Sequence, residues 1–242
     1  MADDNKPMKY MRYAIGEIVL VVIGILIAVQ INNWNEERIQ NNKKYNGLIK
    51  LKKEFIENQS LLKQVITLHE KTDYTCIRLL KLTSPHGVQY KVDSLGYFVN
   101  DLIFIPKYSP KKSILSSLIS SGEINFTKDE NIIHKITDWD VLLEEYNYWL
   151  SINSTISINM IIPYTLKNYP MRNMKSSGAY EEWDDNISSE FDLDQNKLLR
   201  SMEFENLVEQ RRNTSKVLTT FAYNLKISQA EIIQLISIEL NK

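Results

Sequence analysis

The chain has 242 residues, with 29 Lys and Arg against 30 Asp and Glu, a formal net charge of −1 and a sequence pI near 6.3, so no global positive field draws it to nucleic acid. One cysteine, Cys76, excludes a disulfide framework and does not choose between cytoplasm and periplasm. With 43% hydrophobic residues but only 7 Gly and 6 Pro, the composition favours helices over a turn-rich sheet, and the expected fold class is all-α.

After a short tail over 1–13, the run from Ala14 to Ile31 is apolar except for Glu17 and Gln30. A helix rises ~1.5 Å per residue, so this run covers roughly 27 Å of the ~30 Å hydrocarbon slab and predicts a transmembrane helix over 14–34. Tyr10 and Tyr13 at one mouth and Trp34 at the other are interface anchors, aromatic rings with one wet end. The run exceeds the hydrophobic region of a cleaved signal, and no small-x-small site follows it, so the anchor is expected to stay attached. Lys6, Lys9 and Arg12 precede the span, and Arg38, Lys43 and Lys44 follow it. That balance leaves the short tail to decide the orientation: N-terminus cytoplasmic, C-terminal domain periplasmic, in a bacterial inner membrane.

Within the span, Glu17, Val21, Gly24, Ala28 and Ile31 fall on one narrow arc. Two readings of that arc stand side by side. It is a packing seam, in which Gly24 and Ala28 let backbones approach and Glu17 is hidden from lipid, or Glu17 simply reaches the headgroups. A third reading, Glu17 as an ion-coupling carboxylate, requires partner helices that this chain does not contain.

The stretch Lys9 to Glu36, KYMRYAIGEIVLVVIGILIAVQINNWNE, resembles the opening of a family of uncharacterised single-pass proteins from Gram-negative bacteria, domain-of-unknown-function family 6090. A weaker likeness continues at Ser121-Gly122-Glu123-Ile124-Asn125 and in the final helical third. The resemblance implies a membrane-anchored helical protein and no established activity.

From Asn35 to about Thr83 no proline intervenes, and Leu48, Leu51, Phe55, Leu62, Val65, His69, Cys76 and Leu79 recur at threes and fours. The spacing predicts a helical stalk over 35–83, packed into the domain, either one helix continuing the anchor or two pieces broken near Asn58-Gln59-Ser60. Asn58, His69 and Thr72 interrupt its seam, which argues for packing within the chain over a long coiled coil. Ser84-Pro85-His86-Gly87 is a stop. A helical-bundle domain over 84–242 follows, beginning with a short helix over 92–104 that starts near Asp93 or Ser94.

Ser109-Pro110 is expected to open another short helix, with Ser109 as cap, and Ser121-Gly122 to close it. Thr127-Lys128-Asp129-Glu130 reads as a capping box for a helix carrying Ile132, Ile136, Trp139, Leu143, Tyr146, Trp149 and Leu150. Aromatics at that spacing are core in preference to a ligand cleft. Residues 156–166 are apolar but too short to span, so they too read as core. An irregular loop near 169–190 contains Trp183, Asp184 and Asp185, a possible contact for a basic partner or simply a solvated loop. From Asp194 one long helix, or a pair, is expected to pack back on the stalk.

Candidate chemistry is thin. Asp192-x-Asp194-x-Asn196 with Glu203 is similar to a calcium loop, but Lys197 stands where the loop needs glycine and Arg200 where it needs a ligand, so helix capping is the plainer reading. His69, His86 and His134 lack metal-ligand spacing, and no phosphate loop or nucleophile elbow occurs. The sequence therefore predicts a non-enzymatic membrane-anchored module with no cofactor and no metal. Its expected partners are the lipid bilayer, other membrane or envelope proteins, and a possible homo-oligomer. The alternative is an accessory subunit of a transporter, motor or secretion complex that docks through Glu17, Gly24 and Ala28.

Overall fold

The computed structural model describes residues 6–120, 127, 129–175, 188–191 and 194–241, with side chains from Tyr10 onward. All regular structure among them is helical: α1 (Lys6–Leu82), α2 (Leu95–Ile103), α3 (Ser113–Ser120), α4 (Glu130–Ile156), α5 (Ile162–Asn168), α6 (Gln195–Leu199) and α7 (Met202–Leu240). The stalk is one piece. α1 runs unbroken for 77 residues, because Asn58 and Ser60 are tolerated within a helix that lacks Gly or Pro between Leu48 and Leu82.

α1 has two regimes. Its 18-residue apolar window has mean hydropathy 2.6 and none of it is buried by the rest of the chain. Packing begins at Gly47, where a β-carbon would stand 3.2 Å from Leu118 of α3. From there Leu48, Leu51, Phe55 and Leu62 enter the core, so residues 35–46 stand clear of the domain while 47–82 form its central strut.

α7 lies antiparallel to both α1 and α4, pairing Arg212 with Asp73 and Lys135 with Glu231. Large side chains fill the gap between α1 and α4: Phe55 meets Trp139 edge-on at 5.1 Å, and Tyr108 of the 104–112 connector packs against Tyr146 at 6.2 Å. The aromatic stripe of α4 is therefore core, as its spacing predicts.

Four starts and stops differ from the sequence reading or resolve it. α3 opens at Ser113, not at Ser109-Pro110, because a carboxylate from another helix caps it. Glu54 of α1 accepts from Ser113 Oγ and from the amides of Ile114 and Leu115 at 2.8–3.1 Å. The expected capping box at 127–130 is instead a cap by Asp129, which accepts from Asn131, while Thr127 Oγ1 accepts from Asp129 one step outside. The helix after 92 begins at Leu95, with Ser94 at its mouth.

Finally, α4 passes into a π turn, Ser157–Ile161, before α5. Pro163 supplies the cause: its ring clashes with the carbonyl four residues back and donates no hydrogen, and a wider turn relieves both. One face of that stretch is core, with Ile156, Ile161 and Tyr164 buried, while Ile158 and Met160 are exposed. Ser121-Gly122 lies outside the described residues.

Candidate functional site

Two hydrophobic clusters stack along the bundle. The one nearer the span joins Leu51, Phe55, Trp139, Leu218 and Ile232, and the distal one joins Leu79, Leu95, Leu102, Ile161, Leu199 and Phe204. Between them runs a buried polar layer. Arg211 of α7 is fully enclosed, and its guanidinium donates to the carbonyls of Leu102 at 3.1 Å and Phe104 at 2.7 Å and to Asn153 Oδ1 at 2.7 Å. Thr214 Oγ1 donates to the same Asn153 oxygen at 2.9 Å. The cation thus sits on the carbonyl end of α2, where the helix dipole favours positive charge. Burial brings the Arg211 pKa down to about 10 and pushes the neighbouring Cys76 thiol up to about 12. Cys76 is a buried, un-ionised side chain, as its seam position predicts.

His69 lies in the same layer. Tyr146 Oη accepts the amide of Tyr108 at 3.3 Å and shares a 3.0 Å hydrogen bond with His69 Nε2. The other ring nitrogen, Nδ1, has no partner among the described residues. Burial, with Arg211 adding to it, lowers the His69 pKa to about 4, and the ring is neutral at physiological pH. Sequence reading misses Arg211 altogether, yet a signal exists. Leu207, Arg211, Thr214 and Leu218 share one helical stripe, and a basic residue inside an apolar stripe has to find acceptors.

Beyond the distal cluster the chain builds an open cleft of about 1090 Å³. Its floor is the segment after the Gly87 turn. Gly87 has φ +64°, the left-handed region, and a β-carbon there would meet Asn196 Oδ1 at 2.3 Å. The close approach lets α6 staple the following segment through side chains: Asn196 bonds both the amide and the carbonyl of Val88, and Gln195 bonds Val92 and Tyr90. Across the cleft, Gly96 lies so near Asn173 that a β-carbon would come within 2.3 Å of the Asn173 carbonyl.

Asn173 ties that wall together by accepting from Tyr169 Oη at 3.0 Å and, through its side chain, from Ser189 at 2.9 Å. Burial pushes the Tyr169 hydroxyl up to about 12, so it stays a donor. Tyr90 and Phe191 stand on the rim, exposed, with Lys91, Arg172 and Glu190 among the lining. The cleft offers ring faces, backbone groups and both signs of charge.

Of the calcium-like residues, Asp194 caps α6 by accepting from Asn196, whose amide is committed to Val88. Asp192 lies outside the described residues. Trp183, Asp184 and Asp185 also lie outside them.

At the other end of α1, the predicted packing residues Glu17, Val21, Gly24 and Ala28 are all exposed, and nothing lies within 4 Å of a β-carbon placed on Gly24. Tyr10, Tyr13 and Trp34 are exposed at the two mouths. At the exit the side chains link along the helix: Asn32 donates to Glu36 at 2.8 Å, Arg38 donates to Asn35 at 3.2 Å, and the Arg38 guanidinium lies 5.6 Å from the Trp34 ring. These local pairs support a helix turn outside the packed bundle.

No curated protein and no solved structure matches the chain. The sequence model of a family of unknown function (DUF6090) matches residues 17–161, from Glu17 in the apolar run to the end of the π turn, and the chain belongs to that family.

Proposed function

We propose that this protein is a membrane-anchored, non-enzymatic interaction or sensing module of the bacterial envelope, whose distal cleft binds another protein or envelope component. The observation that carries the reading is the continuity of α1. One helix joins an apolar segment free of intrachain packing to the far end of the bundle, and from Trp34 to Leu82 it spans roughly 70 Å at ~1.5 Å per residue. A rigid element of that length holds the cleft away from the lipid and couples the tip to the membrane. The orientation in this proposal is N-terminus cytoplasmic and helical domain periplasmic, in the inner membrane.

The test places a photo-crosslinking residue at Tyr90 on the cleft rim and, separately, at the exposed Ile227 on α7, in the full-length protein in cells. A discrete adduct from position 90 and none from 227 supports the tip as the binding surface. Equal labelling contradicts it. A C-terminal reporter active only in the periplasm fixes the orientation in the same strain.

A second reading is supported by the ionisable Glu17 on an apolar helix face that the described chain leaves unpacked: an accessory subunit whose span docks on other transmembrane helices. Under it, Glu17→Gln or Gly24→Leu abolishes assembly while the helical domain stays folded.

A further inference from the structure

Two basic side chains meet in the layer between the hydrophobic clusters: His69 of α1 and Arg211 of α7, both fully enclosed. No acid accompanies them. Tyr146 of α4 bonds the His69 ring and Tyr108 of the connector backs Tyr146, but burial pushes both hydroxyls up, so neither supplies a negative charge. Cys76, further along α1, is un-ionised for the same reason. The carboxylates beside these residues in sequence are committed elsewhere. Glu70 accepts from Tyr223 Oη at 2.6 Å, Asp73 from Arg212 at 3.2 Å and Asp101 from Lys71 at 2.8 Å. Among the described residues no carboxylate bonds to His69 or Arg211.

This arrangement tolerates the His69 ring only when it is neutral. Charging an imidazole makes donors of both its nitrogens. Nε2 has Tyr146 Oη, but Nδ1 has no acceptor among the described residues, and the new cation shares a closed layer with Arg211 and no counter-charge. An opened layer removes the conflict, because water then solvates the charge.

The two sides of the layer are unequally built. Long helices α1, α4 and α7 frame the proximal cluster, whereas the distal one depends on α2, α5 and α6, of 9, 7 and 5 residues. Arg211 is the tie between them. It holds the carbonyls of Leu102 and Phe104 at the end of α2, and it stands on the helix that follows α6, whose Gln195 and Asn196 staple the cleft floor. A charged His69 repels Arg211 and therefore loosens α2 and α6 before the long helices.

We infer that the layer of His69 and Arg211 is an acid-triggered latch: proton uptake by His69 opens the distal cluster and its cleft while the proximal bundle stays folded. The inference deepens the sensing reading proposed above, on which it rests for its purpose, by naming the proton as the stimulus. Linkage sets the size of the effect. With the ring at a pKa of about 4 when closed and the ordinary 6.5 when open, the opening equilibrium rises about 20-fold between pH 7 and pH 5. Most carboxylates remain ionised over that interval.

The test is hydrogen exchange read by mass spectrometry on the full-length protein in lipid nanodiscs at pH 7 and pH 5, corrected for intrinsic exchange rates. Peptides from 95–103 and 195–208 are expected to gain about 20-fold in opening constant, and peptides from 132–146 and 218–236 less than about threefold. His69→Gln is expected to abolish the distal gain. A double variant of the exposed histidines, His86→Gln with His134→Gln, is expected to keep it. Circular dichroism checks that each variant folds; should His69→Gln fail to fold, the wild-type contrast and the double variant decide the matter. Equal gains in both regions, no gain, a gain retained in folded His69→Gln or a gain lost in the double variant overturns the inference. A crosslinked adduct from position 90 without the gain overturns the latch alone, and the gain without an adduct supports the latch while overturning the tip as binding surface.

Discussion

Glu54 on α1 and Leu115 on α3 are joined by a 3.1 Å hydrogen bond from the Leu115 amide to the Glu54 carboxylate, which also takes Ile114 and Ser113. One turn on, Asn58 clasps Lys111 through both its amide and its carbonyl at 2.7–2.8 Å. The pair fixes the returning connector against the N-terminal part of the packed length of α1.

Glu54→Ala exposes the first amides of α3 to a site without acceptors. It is expected to cost about 1–3 kcal/mol, with Glu54→Gln recovering part of that. Urea unfolding of the three proteins measures it, and equal midpoints would contradict the capping role.

Arg211→Ala removes a donor from the Leu102 and Phe104 carbonyls and one of the two donors to Asn153 Oδ1, and opens a cavity between the two hydrophobic clusters. The expected loss is about 3–5 kcal/mol. Arg211→Lys keeps the charge but not the forked geometry and is expected to recover less than half of it in the same measurement.

His69 gives stability a pH dependence of known sign. Its folded pKa is about 4 against an ordinary 6.5, so between these values the unfolded chain binds more protons and stability rises with pH. The contribution is complete above pH 6.5 and is lost as pH falls toward 4, on the order of 3 kcal/mol for a shift of this size. Carboxylates titrate in part of that window. The measurement is therefore the difference between wild type and His69→Gln from pH 7 to 4.5, and the variant is expected to show the shallower slope.

Gly87→Ala places a β-carbon at φ +64° and against Asn196. It is expected to destabilise the stapled segment by about 1–2 kcal/mol. Hydrogen exchange at Val88 and Val92 reads this locally, with faster exchange there and little change at Leu62.

The sequence makes long-period features legible and hides long-range polar ones. The long, unpacked apolar helix follows from uniform apolarity, the stop at 84–87 from Pro85 and Gly87, and the aromatic core of α4 from its spacing. The cap of α3 is not legible, because Ser109-Pro110 supplies a plausible local start and nothing in the sequence places Glu54, about sixty residues earlier, at the true one. Arg211 is hidden for a related reason: exposed and buried arginines look alike until the stripe around them is followed. Asn58, His69 and Thr72 are visible as breaks in an apolar seam, but their partners lie on other elements. The distal cleft is the least legible feature, since it depends on Asn196 and Gln195 reaching the backbone of a segment more than a hundred residues away.

The account rests on residues 14–34 lying in lipid while 47–241 fold as a self-contained bundle. Alkaline extraction of membranes from cells expressing the full-length chain and, separately, the chain from Asn35 onward tests this most directly. The full-length protein is predicted to stay with the membrane pellet, and the shorter one to be soluble, helical and cooperatively unfolding. Full-length protein released into the soluble fraction would contradict the account.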